Sequence, residues 1–351
     1  MSNIRNKLPR LSANEEADSS ADFDRFYFRA YGDISIHETM LGDTARTNSY
    51  RSAIFGSGAI KDKVILDVGA GTGILSVFCA QAGAKHVYAV EASSMAEQAK
   101  LVIKCNGVED RVSVIQGKVE DIELPEMVDV IVSEWMGYLL VYEWMLSSII
   151  FAREKWLKNN GVLFPNTASV FIAPLGDCED LRDRLKFWEE MRPLYGVEMA
   201  SLQTYARKCL TDVVHVQLVP PQNVQAHACQ VCNINLKTVQ EEDLSSVKGN
   251  FQFKCFGYSR VCGFVVWFDV TFPDHSQLST SPYAEPTHWE QCIVYTKETQ
   301  DVAQDTEITG TLELKPHRKV SRYVEVDLTY KFGNSEETHK QSYSMDEGAG
   351  S

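Results

Sequence analysis

Glu134 and Glu143 stand nine residues apart in the stretch Ser133-Glu-Trp-Met-Gly137-Tyr-Leu-Leu-Val-Tyr-Glu143-Trp-Met-Leu146. At that separation two carboxylates point to opposite faces of a regular helix or strand, so they converge only if the intervening segment folds back. Gly137 permits such a hairpin. Residues 119–144 contain seven acids (Glu120, Asp121, Glu123, Glu126, Asp129, Glu134, Glu143) and no Lys or Arg. Acids in aromatic surroundings without a base of their own call for a cation from elsewhere. The plainer alternative is a set of helix-end acids paired with distant arginines.

A second chemical signal is Val64-Ile-Leu-Asp67-Val-Gly69-Ala-Gly71-Thr-Gly73-Ile-Leu-Ser, a strand that turns through glycines into a helix. Dinucleotide folds show G-x-G-x-x-G, with a pyrophosphate on the helix N-terminus. Here the spacing is G-x-G-x-G, which fits backbone pressed against a nucleoside and an amino-acid moiety. Glu91 follows Gly69 by 22 residues at the end of the next strand, where a carboxylate can accept from both ribose hydroxyls. Together these point to S-adenosylmethionine, with a purely structural tight turn as the alternative.

Other clusters are weaker alone. His37-Glu38-Thr-Met40-Leu-Gly-Asp43-Thr-Ala-Arg46 and Thr287-His288-Trp289 each contain a histidine, and a histidine beside an aromatic is more often a packing residue than a catalyst. Cys229-Gln-Val-Cys232 with His227 nearby has no second pair to complete four ligands, so no metal is expected.

The elements that must position these residues fall into two textures. Residues 61–165 alternate apolar runs (64–68, 86–90, 112–115, 128–133) with helical patterns (74–82, 95–103, 147–157), which predicts βαβ units and a mostly parallel sheet. From 166 to 345 short period-two stretches predict an antiparallel β domain, a barrel. Ahead of both, residues 23–60 fit two short helices, and the polar segments 1–22 and 346–351 read as disordered tails. Leu181, Leu185, Trp188, Met191 and Tyr195 form one helical stripe, either a core-packing face or an arm for a partner subunit.

The 351 residues suggest about two domains. A net charge of −14 disfavours a phosphate-gripping surface and favours cationic partners, so direct nucleic-acid binding is not expected. Nine scattered cysteines and no apolar leader argue against a secreted disulfide framework and for a reducing compartment. No apolar run is long enough to span a bilayer, so no membrane association is expected.

Taken jointly, Tyr27-Phe28-x-x-Tyr31, the 37–50 segment, the 67–73 glycine turn, the two-glutamate loop and Thr287-His288-Trp289 resemble a type I protein arginine methyltransferase, from about Tyr27 to Met345. The resemblance implies a Rossmann-like S-adenosylmethionine-dependent domain (61–165) followed by a β-barrel domain (166–345) with a dimerisation arm at about 176–206. It implies that Arg46 receives the cofactor carboxylate with His37 and Gly69 alongside, that Glu91 takes the ribose and that Glu120 approaches the adenine. Tyr27 and Phe28 act as a lid, with Asp67, Gly71, Met40 and Met145 completing the cofactor set. Glu134 and Glu143 grip the substrate guanidinium as the catalytic pair, His288 pairs with Asp43, and Tyr31 and Trp289 line the arginine pocket.

Methyl transfer to a protein arginine is the function so implied, giving monomethyl and asymmetric dimethylarginine; Met40 is the family's marker for the asymmetric product. Histone tails and other Arg/Gly-rich proteins, a homodimer and a nuclear location belong to the same implication. The proton acceptor is left between His288 with Asp43 and Glu143 itself. Leu139, Trp144 and Glu290 depart from the family pattern and put loop packing in question. A nucleic-acid or small-molecule methyltransferase and a noncatalytic cofactor-binding scaffold are the competing readings.

Overall fold

In the computed structural model, which describes residues 20–333 and 335–345, the N-terminal segment forms three helices where the sequence predicts two. They are α1 (Ser20–Ala30), α2 (Ile34–Gly42) and α3 (Thr44–Gly56). Asp43 makes the difference. Its N–H donates to Thr39 O, ending α2, and its Oδ1 accepts the Arg46 N–H, starting α3. A short carboxylate there satisfies a helix-end donor that apolar periodicity does not reveal. α1 begins at Ser20, inside the expected tail; the rest of that tail and residues 346–351 lie outside the described residues.

Strands β1 (Val64–Val68), β2 (His86–Glu91), β3 (Val112–Gln116), β4 (Val128–Val132) and β5 (Leu157–Phe164) form one sheet in the order β3-β2-β1-β4-β5. Every pairing is parallel. β1 is buried along its whole length, which is why its apolar run is continuous and not alternating. α4 (Ile74–Gln81), α5 (Met95–Cys105) and α6 (Leu146–Trp156) match the expected helices within one or two residues. β5 does not: its first half, Lys158-Asn-Asn, is exposed and carries no strand pattern.

The second half opens with β6 (Thr167–Gly176), then α7 (Glu179–Tyr195) and α8 (Gln203–Thr211). The remaining strands are β7 (His215–Gln217), β8 (Cys229–Asn235), β9 (Val247–Lys254), β10 (Ser259–Thr271), β11 (Gln277–Ser279), β12 (Gln291–Val302), β13 (Glu307–Pro316), β14 (Val324–Phe332) and β15 (His339–Met345). They form two antiparallel sheets, β7-β12-β10-β6-β8 with β11 on β10, and β15-β14-β13-β9. The sheets approach along both edges, β8 beside β9 and a Val213–Ser344 bridge at β15, and enclose one barrel-like core. Phe251, Phe253, Phe264 and Tyr330 fill it, with ring centroids 5.0–6.3 Å apart.

β10 shows how alternation divides two cores. Phe264, Val266, Phe268 and Val270 point inward, whereas Cys262, Val265 and Trp267 form a second cluster outside with Leu181, Leu185 and Leu210. This splits the stripe predicted on α7. Leu181 and Leu185 pack on the chain's own sheet, and Met191 is buried too. The apolar residues that α7 and the following turn leave exposed are Phe187, Leu194, Tyr195, Val197, Met199 and Leu202, with Tyr205 beyond them. Cys178 at the base of α7 is disulfide-bonded to Cys262 on β10, a single bridge where the sequence suggests none. Seven other cysteines are free.

Candidate active site

The glycine turn leaves β1 under α1 and α2, and three positive φ values show why its residues are glycine. Gly69, Gly71 and Gly73 have φ of 72°, 53° and 83°. The walls are close as well. A Cβ on Gly69 would stand 2.5 Å from Met145 Cε, and one on Gly71 3.1 Å from the His37 ring. Glu91, at the end of β2, accepts from Gly71 N at 2.8 Å through one oxygen and from Ser93 N at 2.7 Å through the other. Each oxygen keeps a lone pair for a further donor.

The two-glutamate segment folds back as the sequence requires. Gly137 N donates to Leu140 O, and a Cβ on Gly137 would meet the Tyr142 carbonyl oxygen at 2.1 Å. Close approach, not a left-handed backbone, demands glycine there. The left-handed residues are Leu139, Leu140, Glu143 and Trp144, with φ of 54°, 72°, 76° and 52°. Such a run of non-glycine residues costs on the order of 1–3 kcal/mol each and persists only where surroundings enforce it. The enforcing contacts are visible: Trp144 Nε1 donates to Tyr323 O at 3.1 Å, and Glu143 N to Arg322 O at 2.8 Å. Two of the departures, Leu139 and Trp144, are thus buried supports of this loop, and Glu290 also adopts positive φ, at 50°.

Glu143 collects hydroxyls from the lid. Tyr27 donates to it at 2.9 Å, and Tyr31 at 2.8 Å to the same oxygen. Burial pushes its carboxyl up to about 7; the tyrosine hydroxyls and the Arg322 charge pull partly back, while Glu134 adds to the rise. Glu134 is held otherwise. Arg46 directs Nε and Nη2 to its Oε2, both at 3.0 Å, and Nη1 to Met40 O at 3.2 Å. The other oxygen of Glu134 is left for a further cation.

Asp43 reaches back to the β domain. Its Oδ2 accepts from His288 N at 2.8 Å and lies 2.7 Å from His288 Nδ1. Burial alone would raise the Asp43 carboxyl, but the hydrogen bonds from His288 and the Arg46 N–H hold it below the usual range. The Trp289 ring lies tilted beside His288, centroids 4.0 Å apart, and donates Nε1 to Met136 O.

One cavity gathers nearly all of these groups: Tyr27, Phe28, Tyr31, His37, Met40, Arg46, Gly69, Gly71, Glu91, Glu120, Glu134, Glu143, Met145, His288 and Trp289 line it. Asp43 stands behind His288. Asp67, expected with the cofactor residues, is not in the lining: it is fully buried beneath the turn, accepts from Ser76 Oγ at 2.6 Å, and burial pushes it up to about 7. A residue at the end of a buried strand faces the sheet's interior as readily as its rim, which spacing does not distinguish. Glu120 accepts from Ser148 Oγ at 2.6 Å. Missed in the sequence were Arg322, Lys118 and Asp24, which close the lid side; their partners lie too far along the chain to leave a local pattern. Among the described residues no cluster of His, Cys, Asp and Glu is placed to hold a metal, and Cys229 and Cys232 lie along β8.

Comparison with known proteins decides the family. A chain of Danio rerio named protein arginine N-methyltransferase 6 is 47% identical over 92% of this chain and 93% of its own. The chain belongs to the protein arginine methyltransferase family. The Xenopus tropicalis protein of the same name is 48% identical over 90% and 94%. This agrees with the strings VGAGTGILS, FCAQAGA, FIAP and WFDVTF, which look most like that member. The arginine methyltransferase oligomerization subdomain matches residues 166–336, and the ribosomal protein L11 methyltransferase family matches 56–149. Among solved structures, the Trypanosoma brucei arginine methyltransferase 1 enzyme–prozyme heterotetramer with AdoHcy superposes with a TM-score of 0.83 at 32% identity, covering 90% of this chain and all of that one. Arabidopsis thaliana protein arginine methyltransferase 10, in a uniquely open conformation, gives 0.81 at 32%, covering 91% and all of its own. The arginine methyltransferase fold is therefore the frame for the cavity just described.

Proposed function

We propose that the chain is an S-adenosylmethionine-dependent arginine N-methyltransferase of type I, forming monomethyl and then asymmetric dimethylarginine on proteins. The observation that carries this is the placement of two half-buried glutamates, each with a carboxylate oxygen to accept from a cation, in the same cavity as the glycine turn and Glu91.

The residues fit the cofactor. Gly69 and Gly71 leave backbone bare where a Cβ would crowd Met145 and His37, and Glu91 has a free lone pair on each oxygen for ribose hydroxyls. Arg46 can exchange part of its bond to Glu134 for a carboxylate. Bound there, S-adenosylmethionine supplies an electrophilic methyl group on a positively charged sulfur.

The chain's own residues must then bring a second cation against that charge. Glu134 and Glu143 neutralise the guanidinium, hold its plane and direct one terminal nitrogen toward the methyl. Burial raises the Glu143 carboxyl to about 7, and the incoming guanidinium favours its ionised form. As the nitrogen is alkylated it sheds one proton, for which His288 held by Asp43, or Glu143, stands ready. Trp289 and Met136, joined by a hydrogen bond, form the wall beside His288.

The exposed apolar residues after α7 and the match to the oligomerization subdomain support a homodimer through the arm. A net charge of −14 suits Arg-rich tails such as those of histones, and a nuclear location follows from the family resemblance. Incubation with methyl-labelled cofactor and an Arg-rich peptide, with an Arg-to-Lys version beside it, tests the reading. Label in asymmetric dimethylarginine of the first peptide alone is expected. Symmetric product overturns the type I assignment, and label on lysine overturns arginine specificity.

A further inference from the structure

Arg322, in the loop between β13 and β14, touches three separate parts of the site. Its Nε and Nη2 donate to Asp24 Oδ1 on α1 at 3.0 and 2.7 Å. Its guanidinium lies 3.9 Å over the Tyr27 ring. Both backbone polar groups of Glu143 are held by this one residue: Glu143 N donates to Arg322 O, and Glu143 O accepts from Arg322 Nη1 at 2.9 Å. Lys118, just after β3, takes the other oxygen of Asp24 and lies 5.3 Å from the Phe28 ring. A single carboxylate on the lid is thus shared by one cation from the parallel-sheet domain and one from the barrel.

The arrangement closes a circuit. Arg322 fixes Glu143 by its main chain, Glu143 accepts the Tyr27 hydroxyl, and the Tyr27 ring lies under Arg322. Asp24 ties the remaining guanidinium edge to the same helix. If α1 lifts, Tyr27 and Tyr31 leave Glu143, and Arg322 loses both its carboxylate and its aromatic face. Glu143 has left-handed backbone that does not hold itself in place. The lid and the catalytic carboxylate therefore share one support.

We infer that Arg322 is a positioning residue, a latch that couples closure of α1 over the cofactor to the orientation of Glu143. The inference rests on the methyl-transfer reading of the site and adds to it a residue that touches neither reacting group. A planar fork is needed, because one guanidinium must serve a carboxylate, a carbonyl and a ring together. Lysine can supply the charge but not the three directions.

The test uses the full chain with Arg322→Ala, Arg322→Lys, Asp24→Asn and the Asp24→Asn/Arg322→Ala pair. S-adenosylhomocysteine affinity is measured by calorimetry, and kcat/KM for an Arg-rich peptide is measured against pH. Arg322→Ala should lower kcat/KM by about tenfold or more and move its acidic limb to higher pH, since a positive charge has left Glu143. Asp24→Asn should weaken S-adenosylhomocysteine binding by about threefold to tenfold and move that limb the same way by less, since the tyrosine hydroxyls that lower Glu143 loosen with α1, and it should cost less in the Arg322→Ala background, where only its tie to Lys118 is left to break. Arg322→Lys should restore the limb without restoring the coupling to Asp24. Additive losses in the pair, an unmoved limb in Arg322→Ala, or full recovery in Arg322→Lys would each overturn the latch. Should Arg322→Ala fail to fold, Arg322→Lys and Asp24→Asn decide between the same outcomes. A wild-type protein that transfers no methyl group refutes the functional reading instead, and the Asp24–Arg322 coupling in S-adenosylhomocysteine affinity still reports on the latch.

Discussion

Glu143 is the residue whose chemistry can be read from its surroundings alone. Its folded carboxyl is raised from 4.5 to about 7, with burial the largest cause. The folded protein then holds this proton more tightly than the unfolded chain, so between those values stability falls as pH rises. Activity should run the other way, because the carboxylate is the form that takes a guanidinium. The pH profile of kcat/KM should rise through about 7 and then flatten, and peptide binding near neutrality should release a proton, seen as buffer-dependent heat. A flat profile from pH 5.5 to 8 would contradict the role. Glu91 needs a two-part expectation, because it also holds Gly71 and Ser93. Glu91→Gln should weaken S-adenosylhomocysteine binding by about tenfold, roughly the loss of one charge-assisted bond. Glu91→Ala should in addition lower the melting temperature, since two backbone N–H groups lose their acceptor. Unchanged affinity in both variants by calorimetry would remove Glu91 from the cofactor site.

Among the elements, the two-glutamate loop and the arm each invite a direct test. Gly137→Ala places a methyl group against the Tyr142 carbonyl, which is backbone and cannot rotate away. It should destabilise the protein by about 2–3 kcal/mol and abolish turnover, as chemical denaturation and a methylation assay would record. On the arm, the stripe seen in the sequence mixes two faces. Leu185→Ala should cost about 2–3 kcal/mol of stability without changing oligomeric state, because Leu185 is 5% exposed against the chain's own sheet. Leu194→Asp with Tyr195→Asp should leave stability within about 0.5 kcal/mol per site and, in sedimentation, convert dimer to monomer. A dimer that survives the second pair would place the interface elsewhere.

The same contrast explains what was legible at this scale. The strands β1 to β4 were readable as short apolar runs, continuous in β1 because both of its faces are covered, and the helices α4 to α6 because each buries a repeating face. The first half of β5 is exposed, and the break at Asp43 is made by one side chain; neither leaves a periodic trace. In the arm, Leu181, Leu185 and Tyr195 share a helical stripe, yet Leu181 and Leu185 pack inward and Tyr195 faces outward. Periodicity gives a face, not what the face meets.

Across the whole molecule, the site is assembled from α1 to α3, the rim of the parallel sheet and the loops of the barrel, and no one of these would suffice. Chemically distinctive strings located the glycine turn and the glutamate pair, and spacing from that turn located Glu91, whereas Asp43 and His288 emerged only from the family resemblance. Arg322 went unseen because its carboxylate partner is 298 residues away. The acidic total of −14 also sets an expectation for the partner, a cationic segment drawn in over a long range. The most direct test of the account is a paired measurement on the wild type and the Glu134→Gln/Glu143→Gln variant: affinity for S-adenosylhomocysteine by calorimetry, and methyl transfer from labelled S-adenosylmethionine to an Arg-rich peptide. The glutamates are assigned to the guanidinium and the glycine turn with Glu91 to the cofactor, so the variant should bind S-adenosylhomocysteine within about threefold of wild type and lose transfer by a hundredfold or more. A double variant that still transfers methyl groups at the wild-type rate would contradict the account.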